Sequence, residues 1–533
     1  MAVPQTETAS QTIPEVDIAN TKALADQTFQ QSILFTAKGG SISFAGRIFE
    51  YIIRFGFSII VARAIGAEQY GLYTLGLAVV PIVSMLALLG LQTGVVAYLA
   101  PAIRQRDETR IWGIIQVCVG LPAVLSILLG ILLFVLAEPV AILGFHEPQL
   151  IPILRIVSLD IPLEALGFIA YQIIISYKKP KYSVLTNNLF LPLAKLLLTV
   201  VFLALGVEVL GVVTAHVIAS ALALALMIYY INKLFPLNRP LRAAKRNTRQ
   251  LLQYSLPVHL GWVLNTIRGT LETLVLGFVG LTTGVGIFAI AGRLSTLGTM
   301  FFLAIGNIST PIIADFHNRG EIGLLKKLYQ TTTKWLVMFN VPLFLFLVLF
   351  SKPLLSIFGS DFTYGAPALI ILAIGNLVYT GTGLGANILD MTNHTKVNSA
   401  NSAFLVIITI TTDLLLIPRW GVIGAAAASA FSTVIVNVIC LIEVHLLLKM
   451  LPYELAILKP ILAGLIAAAI TILLNHYLVL PSLLYLLVGG IVLWGIYALV
   501  LIIFGFSEEE LLVITAFRAR LKILIPLMKS VLK

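Results

Sequence analysis

Charge is what this sequence lacks. Asp, Glu, Lys and Arg together make up 11% of its 533 residues, where a soluble domain carries roughly 25%. No polar stretch is long enough to form a soluble domain, which excludes a string of water-soluble modules. Cysteine is nearly absent. Cys118 and Cys440 lie in separate apolar runs, so neither a disulfide framework nor a thiolate metal site is available. The seven histidines are scattered without metal-ligand spacing. No G-x-x-x-x-G-K-[ST] occurs, so the chain carries no ATPase loop of its own. "GTGLGA" (381–386) has neither a preceding strand nor the spacing of a dinucleotide loop, and reads as a close-packing or hinge element within a helix. The first thirty residues lack the basic flank and apolar core of a signal peptide.

What fills the space is hydrophobic sequence, 59% of the chain, with a mean hydropathy of +1.01. A bilayer core requires about 20 mostly apolar residues per helix. That window finds fourteen spans, near 41–63, 71–99, 111–137, 150–177, 182–205, 209–232, 254–280, 284–314, 333–350, 365–391, 397–417, 422–447, 456–476 and 482–505. Pro and Gly interrupt the second, fourth and eighth. The net charge of +11 comes largely from Lys and Arg in loops after even-numbered spans and in both tails. In a membrane protein that asymmetry marks the cytoplasmic side rather than a nucleic-acid partner, and it predicts both termini cytoplasmic.

Several features recur at a nearly fixed offset. "GLYTLGLA" (71–78) pairs with "GIFAIAGR" (286–293), "PILRIVSLD" (152–160) with "PALIILAIG" (367–375), and "KYSVLTNN" (181–188) with "KVNSANSA" (396–403). "GVVTAHVIASA" (211–221) pairs with "GAAAASAFSTV" (424–434). Six spans thus form a repeat, and an even number keeps both units in the same orientation. Transporters with parallel repeats place their substrate site between the halves. The expected fold is an all-α polytopic membrane protein of about 14 transmembrane helices, with two pseudo-symmetric six-helix bundles and two extra C-terminal helices. Its divisions are a disordered cytoplasmic tail (1–38), an N-terminal bundle (39–232), a basic linker (233–253), a C-terminal bundle (254–448), helices 13 and 14 (449–505) and an amphipathic basic helix (506–533) that starts with the capping box Ser507–Glu510.

Charges inside the spans are few and placed where they cost most. Arg47, Glu50 and Arg54 share one face of span 1; Arg268 and Glu272 stand four apart in span 7, with Arg54 and Arg268 at nearly equivalent repeat positions. Lys195 and Arg293 add positive charge in spans 5 and 8, and Asp160 and Glu164 lie four apart in span 4. Pairing within a helix, Glu50 with Arg47 or Arg54 and Glu272 with Arg268, is the plainer account. It leaves the positive surplus on spans 1, 5, 7 and 8 unexplained. A water-filled cavity between the halves lined by Arg47, Arg54, Arg268, Arg293 and Lys195 accounts for it, and guanidinium groups there would clamp a phosphate or diphosphate. Asp160 and Glu164 are expected either to pack or to bind a coupling Na⁺ or proton; no other cofactor, metal or catalytic residue is expected.

The stretches "VARAIGAEQYGLYTLGLAVVPIVSMLALLGLQTGVVAYLA" (61–100), "FTYGAPALIILAIGNLVYTGTGLGANILDMTNHTKVNSANS" and "LLLIPRWGVIGAAAASAFSTV" resemble the polysaccharide-biosynthesis flippases, the Wzx-like group of the multidrug/oligosaccharidyl-lipid/polysaccharide exporter superfamily. The resemblance implies a non-enzymatic inner-membrane transporter that carries a polyprenyl-diphosphate-linked oligosaccharide to the outer leaflet by alternating access. Membrane lipids and the polysaccharide polymerase machinery are its implied partners. Multidrug and peptidoglycan-precursor exporters share the superfamily. A membrane-embedded polymerase or ligase is the rival of another class, but the external loops near 138–149 and 351–364 are short for catalysis.

Overall fold

A backbone in lipid must satisfy its own hydrogen bonds, which for long apolar segments leaves the helix. The computed structural model describes residues 18–238, 240, 244, 246–477 and 481–505, with side chains from Gly46 onward apart from 475–477. Among the described residues there is no strand, and ten helical stretches are long and apolar enough to cross a membrane. The amphipathic helix expected at 506–533 lies outside the described residues, as do residues 1–17 and part of the linker.

In chain order the helices are α1 (Ile18–Leu88), α2 (Leu91–Gln105), α3 (Glu108–Pro139), α4 (Leu150–Val157), α5 (Asp160–Ser176), α6 (Pro180–Ser183), α7 (Leu191–Ala204), α8 (Glu208–Leu234) and α9 (Thr248–Phe278). They continue with α10 (Thr282–Ser295), α11 (Thr299–Asn318), α12 (Ile322–Leu349), α13 (Ser351–Ser356), α14 (Ala366–Gly381), α15 (Gly385–Met391), α16 (Thr395–Leu448), α17 (Leu458–Tyr477) and α18 (Ser482–Phe504). The helical backbone of α1 starts at Ile18, inside the stretch expected as a disordered tail. Two pairs of expected spans are joined: α1 runs through a kink at Gly66 (φ 74°, ψ 177°) and α16 through one at Gly421 (φ 53°, ψ −127°). Lys334, at the edge of the ninth expected span, is buried within α12.

The three spans that Pro and Gly interrupt in the sequence are broken helices: α1 gives way to α2 at Leu89–Gly90, α4 to α5 at Ser158–Leu159, and α10 to α11 through a 3₁₀ turn at Thr296–Gly298. A fourth break falls in "GTGLGA", between α14 and α15. Gly383 there has φ +70°, and an added Cβ would lie 2.0 Å from the Thr333 hydroxyl. Both expected roles of that stretch, hinge and close packing, are met in one residue.

Eight of the left-handed backbone positions among the described residues fall in four pairs at the offset of the sequence repeat. They are Gly66 with Gly280, Arg106 with Gly320, Lys178 with Asn393, and Gly206 with Gly421. Each pair closes a helix or kinks a continuous one, so the chain turns corners at corresponding points twice over.

One apolar core runs from α1, α4 and α8 across to α10, α12, α14 and α18, and smaller cores lie at the opposite end of each half. α10 packs more extensively on α1 than any other pair of helices. Two glycines permit this. A Cβ on Gly71 would lie 1.9 Å from the Thr282 carbonyl oxygen, and a Cβ on Gly286 would lie 2.2 Å from the Ala67 carbonyl oxygen. The contact is reciprocal, as expected across a local two-fold axis: Gly71 and Ala67 stand to Gly286 and Thr282 as repeat mates.

Candidate functional site

Beside this contact lies a cavity of about 790 Å³. Its walls are the first limb of α1 (Ile48 to Phe57) with Tyr73, the start of α7, and α10 with the turn that follows it; His216 of α8 closes one side. Three basic side chains line it: Arg54, Lys195 and Arg293. Two of them come from helices of the first half and one from the second.

Each cation is held differently. Arg54 Nη2 is 2.7 Å from Glu50 Oε1 one turn earlier, and Glu50 also accepts a hydrogen bond from Asn188 Nδ2. The carboxylate is mostly covered while the Arg54 side chain stays 61% exposed toward the cavity. Arg293 Nη1 donates to the hydroxyls of Ser58 and Tyr70, the latter at 3.2 Å, so a second-half arginine is seated on first-half oxygens. Lys195 Nζ lies over the rings of Phe57 (4.7 Å to the centroid) and Tyr73 (5.4 Å). Ring faces hold a cation without neutralising it. Lys195 feels Arg54 and Arg293 as like charges, and its counter-charge is Asp160.

Asp160 is buried, and its Oδ2 lies 3.0 Å from His216 Nε2. Its Oδ1 has no hydrogen-bond partner among the described residues. Glu164, four residues on, is exposed, so the two acids do not converge on one point. His216 is the residue that sequence reading passed over. Its partner is 56 positions away on another helix, and no local pattern announces the pair.

Two expected lining residues stand elsewhere. Arg47 is exposed and outside the lining. Arg268, the repeat mate of Arg54, is also outside it and donates to Asn265 Oδ1 at 3.4 Å within its own helix. Glu272 lies near Ser429 of α16 and closes no ion pair with Arg268. Side-chain direction explains the difference. The repeat fixes where the Cα of Arg268 sits, while α9 packs against α16, α1, α2 and α10, and Arg268 does not reach the void that Lys195 lines. Asp413 is fully buried in α16 with both carboxylate oxygens unpartnered among the described residues.

The halves are stitched at the Gly66 end. Arg63 Nε donates to the Ile357 carbonyl at 2.6 Å, Thr282 Oγ1 donates to Glu147 Oε2 at 3.1 Å, and Phe145 stacks on Phe278 with centroids 4.5 Å apart. At the far end of the interface Gly94 approaches the Ser255 hydroxyl, and Tyr98 meets Tyr254 edge to face at 5.5 Å.

Comparison with known proteins bears on this arrangement. The chain is similar to the probable flippase AglR of Haloferax volcanii, 25% identical over 296 residues, 52% of this chain and 58% of that protein. It is also similar to the succinoglycan biosynthesis transport protein ExoT of Rhizobium meliloti, 26% identical over 332 residues, 60% of this chain and 62% of that one. The alignments thus span about three-fifths of each relative's length. In three dimensions the chain superposes on the inward closed conformation of the lipid II flippase MurJ with a TM-score of 0.70, covering 89% of this chain and 98% of that one at 17% identity; this is a likeness of fold. Residues 60–364 match the family profile described as polysaccharide biosynthesis protein. That match takes in more than half of the chain, including Lys195, His216 and Arg293 of the cavity. The chain belongs to the polysaccharide biosynthesis protein family.

Proposed function

We propose that this protein is a flippase that carries a lipid-linked oligosaccharide, attached through a diphosphate, across the cytoplasmic membrane. The observation that carries the reading is the cavity where Arg54, Lys195 and Arg293 meet between the two halves. Three cations in a confined, partly dehydrated space select an anion, and two guanidinium groups suit the forked oxygens of a diphosphate. The ring faces of Tyr51, Phe57 and Tyr73 give the same cavity apolar walls against which sugar C–H faces can lie. A cargo that is cationic and amphipathic, as a multidrug exporter takes, would meet like charge here.

The chain crosses the membrane fourteen times in this reading. The limbs of α1 and α16 on either side of Gly66 and Gly421 are separate crossings, and each broken pair (α4 with α5, α10 with α11, α14 with α15) is one. Six crossings make each half, α17 and α18 follow, and both termini are cytoplasmic in line with the distribution of Lys and Arg. The halves rock about the reciprocal Gly71–Gly286 contact, exposing the cavity first to the cytoplasm and then to the outside. Asp160 with His216 is the coupling element: a proton or Na⁺ arriving at Asp160 Oδ1 would alter the field felt by Lys195. Glu164 stands aside from that element. Polysaccharide polymerase machinery is the expected recipient of the cargo.

The test is removal of the gene in its host followed by mass spectrometry of lipid-linked sugars. Accumulated polyprenyl-diphosphate oligosaccharide with loss of surface polymer is the expected result, restored by the wild-type chain but not by Arg54→Ala/Arg293→Ala. Normal glycolipid pools together with new drug sensitivity would transfer the protein to the exporters.

A further inference from the structure

Away from the central cavity, the first half carries an open groove of about 700 Å³. α3, α5 and α8 wall it with Val119, Gly120, Val124, Ala170, Leu224 and Ile228. It is apolar along its length, and its polar members, Gln116, Arg246 and Thr248, gather at the end nearest the linker. His216 of α8 faces the cavity, whereas Leu224, Ile228 and Ile231 of the same helix face the groove, so the two spaces lie on different faces of the bundle.

The repeat-related surface of the second half lies between α12, α14 and α16, where Val341, Leu345, Leu377, Val438 and Leu441 line a second apolar space. α17, which stands outside the repeat, lies against that surface and forms one wall of the space with Ile461, Gly464 and Leu465. Gly464 of α17 comes so close to α12 that an added Cβ would lie 2.4 Å from Val341 Cγ1, and Ala463 and Ala467 are fully buried. Small residues of this kind let helices associate in lipid, where burial of apolar surface gives no advantage of its own.

The ends of the two grooves correspond as well. Gln330 Nε2 donates to the Tyr453 carbonyl at 3.4 Å, fixing the segment that leads into α17. Its repeat mate Gln116 accepts a hydrogen bond from Arg246 Nε at 2.7 Å. Where the second half presents the lead-in to its own covering helix, the first half presents a cation at the mouth of its groove.

We propose that the groove of the first half seats a transmembrane helix of a partner membrane protein, in the place that α17 takes in the second half. The partner helix is apolar with Gly or Ala on the face toward α3. It carries an acidic residue at its cytoplasmic end, opposite Arg246. The inference rests on the six-helix repeat proposed above. Its test reads contact rather than transport, so the two readings fail separately.

A photo-crosslinking amino acid placed at Val124 or Leu224 in the groove, with Leu197 on the exposed side of α7 as control, is irradiated in the host's own membranes. Adducts are then mapped by mass spectrometry. Both groove positions are expected to join one transmembrane segment of the same protein, with at least tenfold less of that adduct from Leu197. Gly120→Trp, which fills the groove, should abolish the adduct. Arg246→Glu, which reverses the charge at the mouth and leaves the groove open, should reduce it several-fold, and reversing the partner's acidic residue to lysine should restore it. Adducts of phospholipid mass alone at Val124 and Leu224 would overturn the proposal in favour of a resident lipid. Protein adducts equal at Leu197, or unaffected by both Gly120→Trp and Arg246→Glu, would overturn it too.

Discussion

Gly71 offers the sharpest test of the rocking motion. In Gly71→Ala the new methyl carbon starts 1.9 Å from the Thr282 carbonyl oxygen, and the obstruction is backbone, which no rotamer change can clear. Restoring ordinary contact near 3.5 Å requires α1 and α10 to separate by roughly 1.5 Å. Overpacking of this kind costs about 1–3 kcal/mol. If the contact exists only while the outer side is closed, that cost falls on one state, and the balance moves toward the outward-open state by roughly 5- to 150-fold. A cysteine at Ala289, which lines the cavity on α10, reports the change through its labelling rate with a membrane-impermeant maleimide applied from outside. Labelling should rise in Gly71→Ala, rise again in Gly71→Ala/Gly286→Ala, and respond much less to Gly94→Ala. In the last case the obstructing atom is the Ser255 hydroxyl, which can turn away. Unchanged labelling in the double variant, with only a lower Tm, would mean that the two halves stay clamped at this point throughout the cycle. The gate would then lie elsewhere.

Other outcomes follow from the same geometry. Arg293→Ala should weaken diphosphate-substrate binding by about 1.5–3 kcal/mol, the worth of a hydrogen bond to a charged group, whereas Arg268→Ala should leave it within twofold; isothermal titration with a short-chain prenyl-diphosphate sugar measures both. Lys195→Met keeps a flexible chain over Phe57 and Tyr73 and removes the charge, so affinity should fall while Tm holds. Gly206→Ala and Gly421→Ala each force alanine to positive φ at about 1–2 kcal/mol; thermal unfolding should show a loss in both, the larger in Gly421→Ala, where the new methyl also lies 3.2 Å from Leu281 Cδ1. Lys459→Met removes an ammonium bonded at 3.0 Å to the Phe504 and Gly505 carbonyls at the end of α18, and should free that helix end by about 1–2 kcal/mol, visible as faster hydrogen exchange there.

How much of this was legible depended on whether the signal was local. Helix breaks were, because Pro and Gly act on their own backbone: the second, fourth and eighth spans break where those residues cluster. The offset of the recurring motifs was legible too, and the positive φ of Gly206 and Gly421 falls at that same offset. The scarcity of buried charge made Arg54, Lys195 and Arg293 conspicuous, and three separate helices bring them to one cavity. What periodicity could not carry was the direction of a side chain relative to other helices. Arg268 has the same place in its repeat as Arg54 but a different set of neighbours. The His216–Asp160 pair has the same cause, since the two residues meet only after α5 and α8 pack.

The mismatch between Arg54 and Arg268 also bears on how a duplicated fold acquires a direction. A duplication begins with both halves offering the same side chains to the interface. Here the basic cluster has two members from the first half, and the second half contributes Arg293, whose guanidinium rests on Ser58 and Tyr70 of the first. The cavity is therefore an organ of the first half that the second half completes. If the halves part at Gly71 and Gly286, as the proposed rocking requires, Arg293 must either leave those hydroxyls or draw α1 with it. A bound diphosphate, reaching Arg54 and Arg293 at once, would bridge the two halves and replace the hydroxyls as Arg293's partner. Cargo and closure are thus linked through one guanidinium. That linkage predicts that Ser58→Ala with Tyr70→Phe, which removes the hydroxyls without touching the cargo's own contacts, should loosen the empty protein more than the loaded one. Maleimide labelling at Ala289 should then rise in the double variant without substrate and return toward the wild-type rate when substrate is added; a rise of equal size in both conditions would break the link argued here.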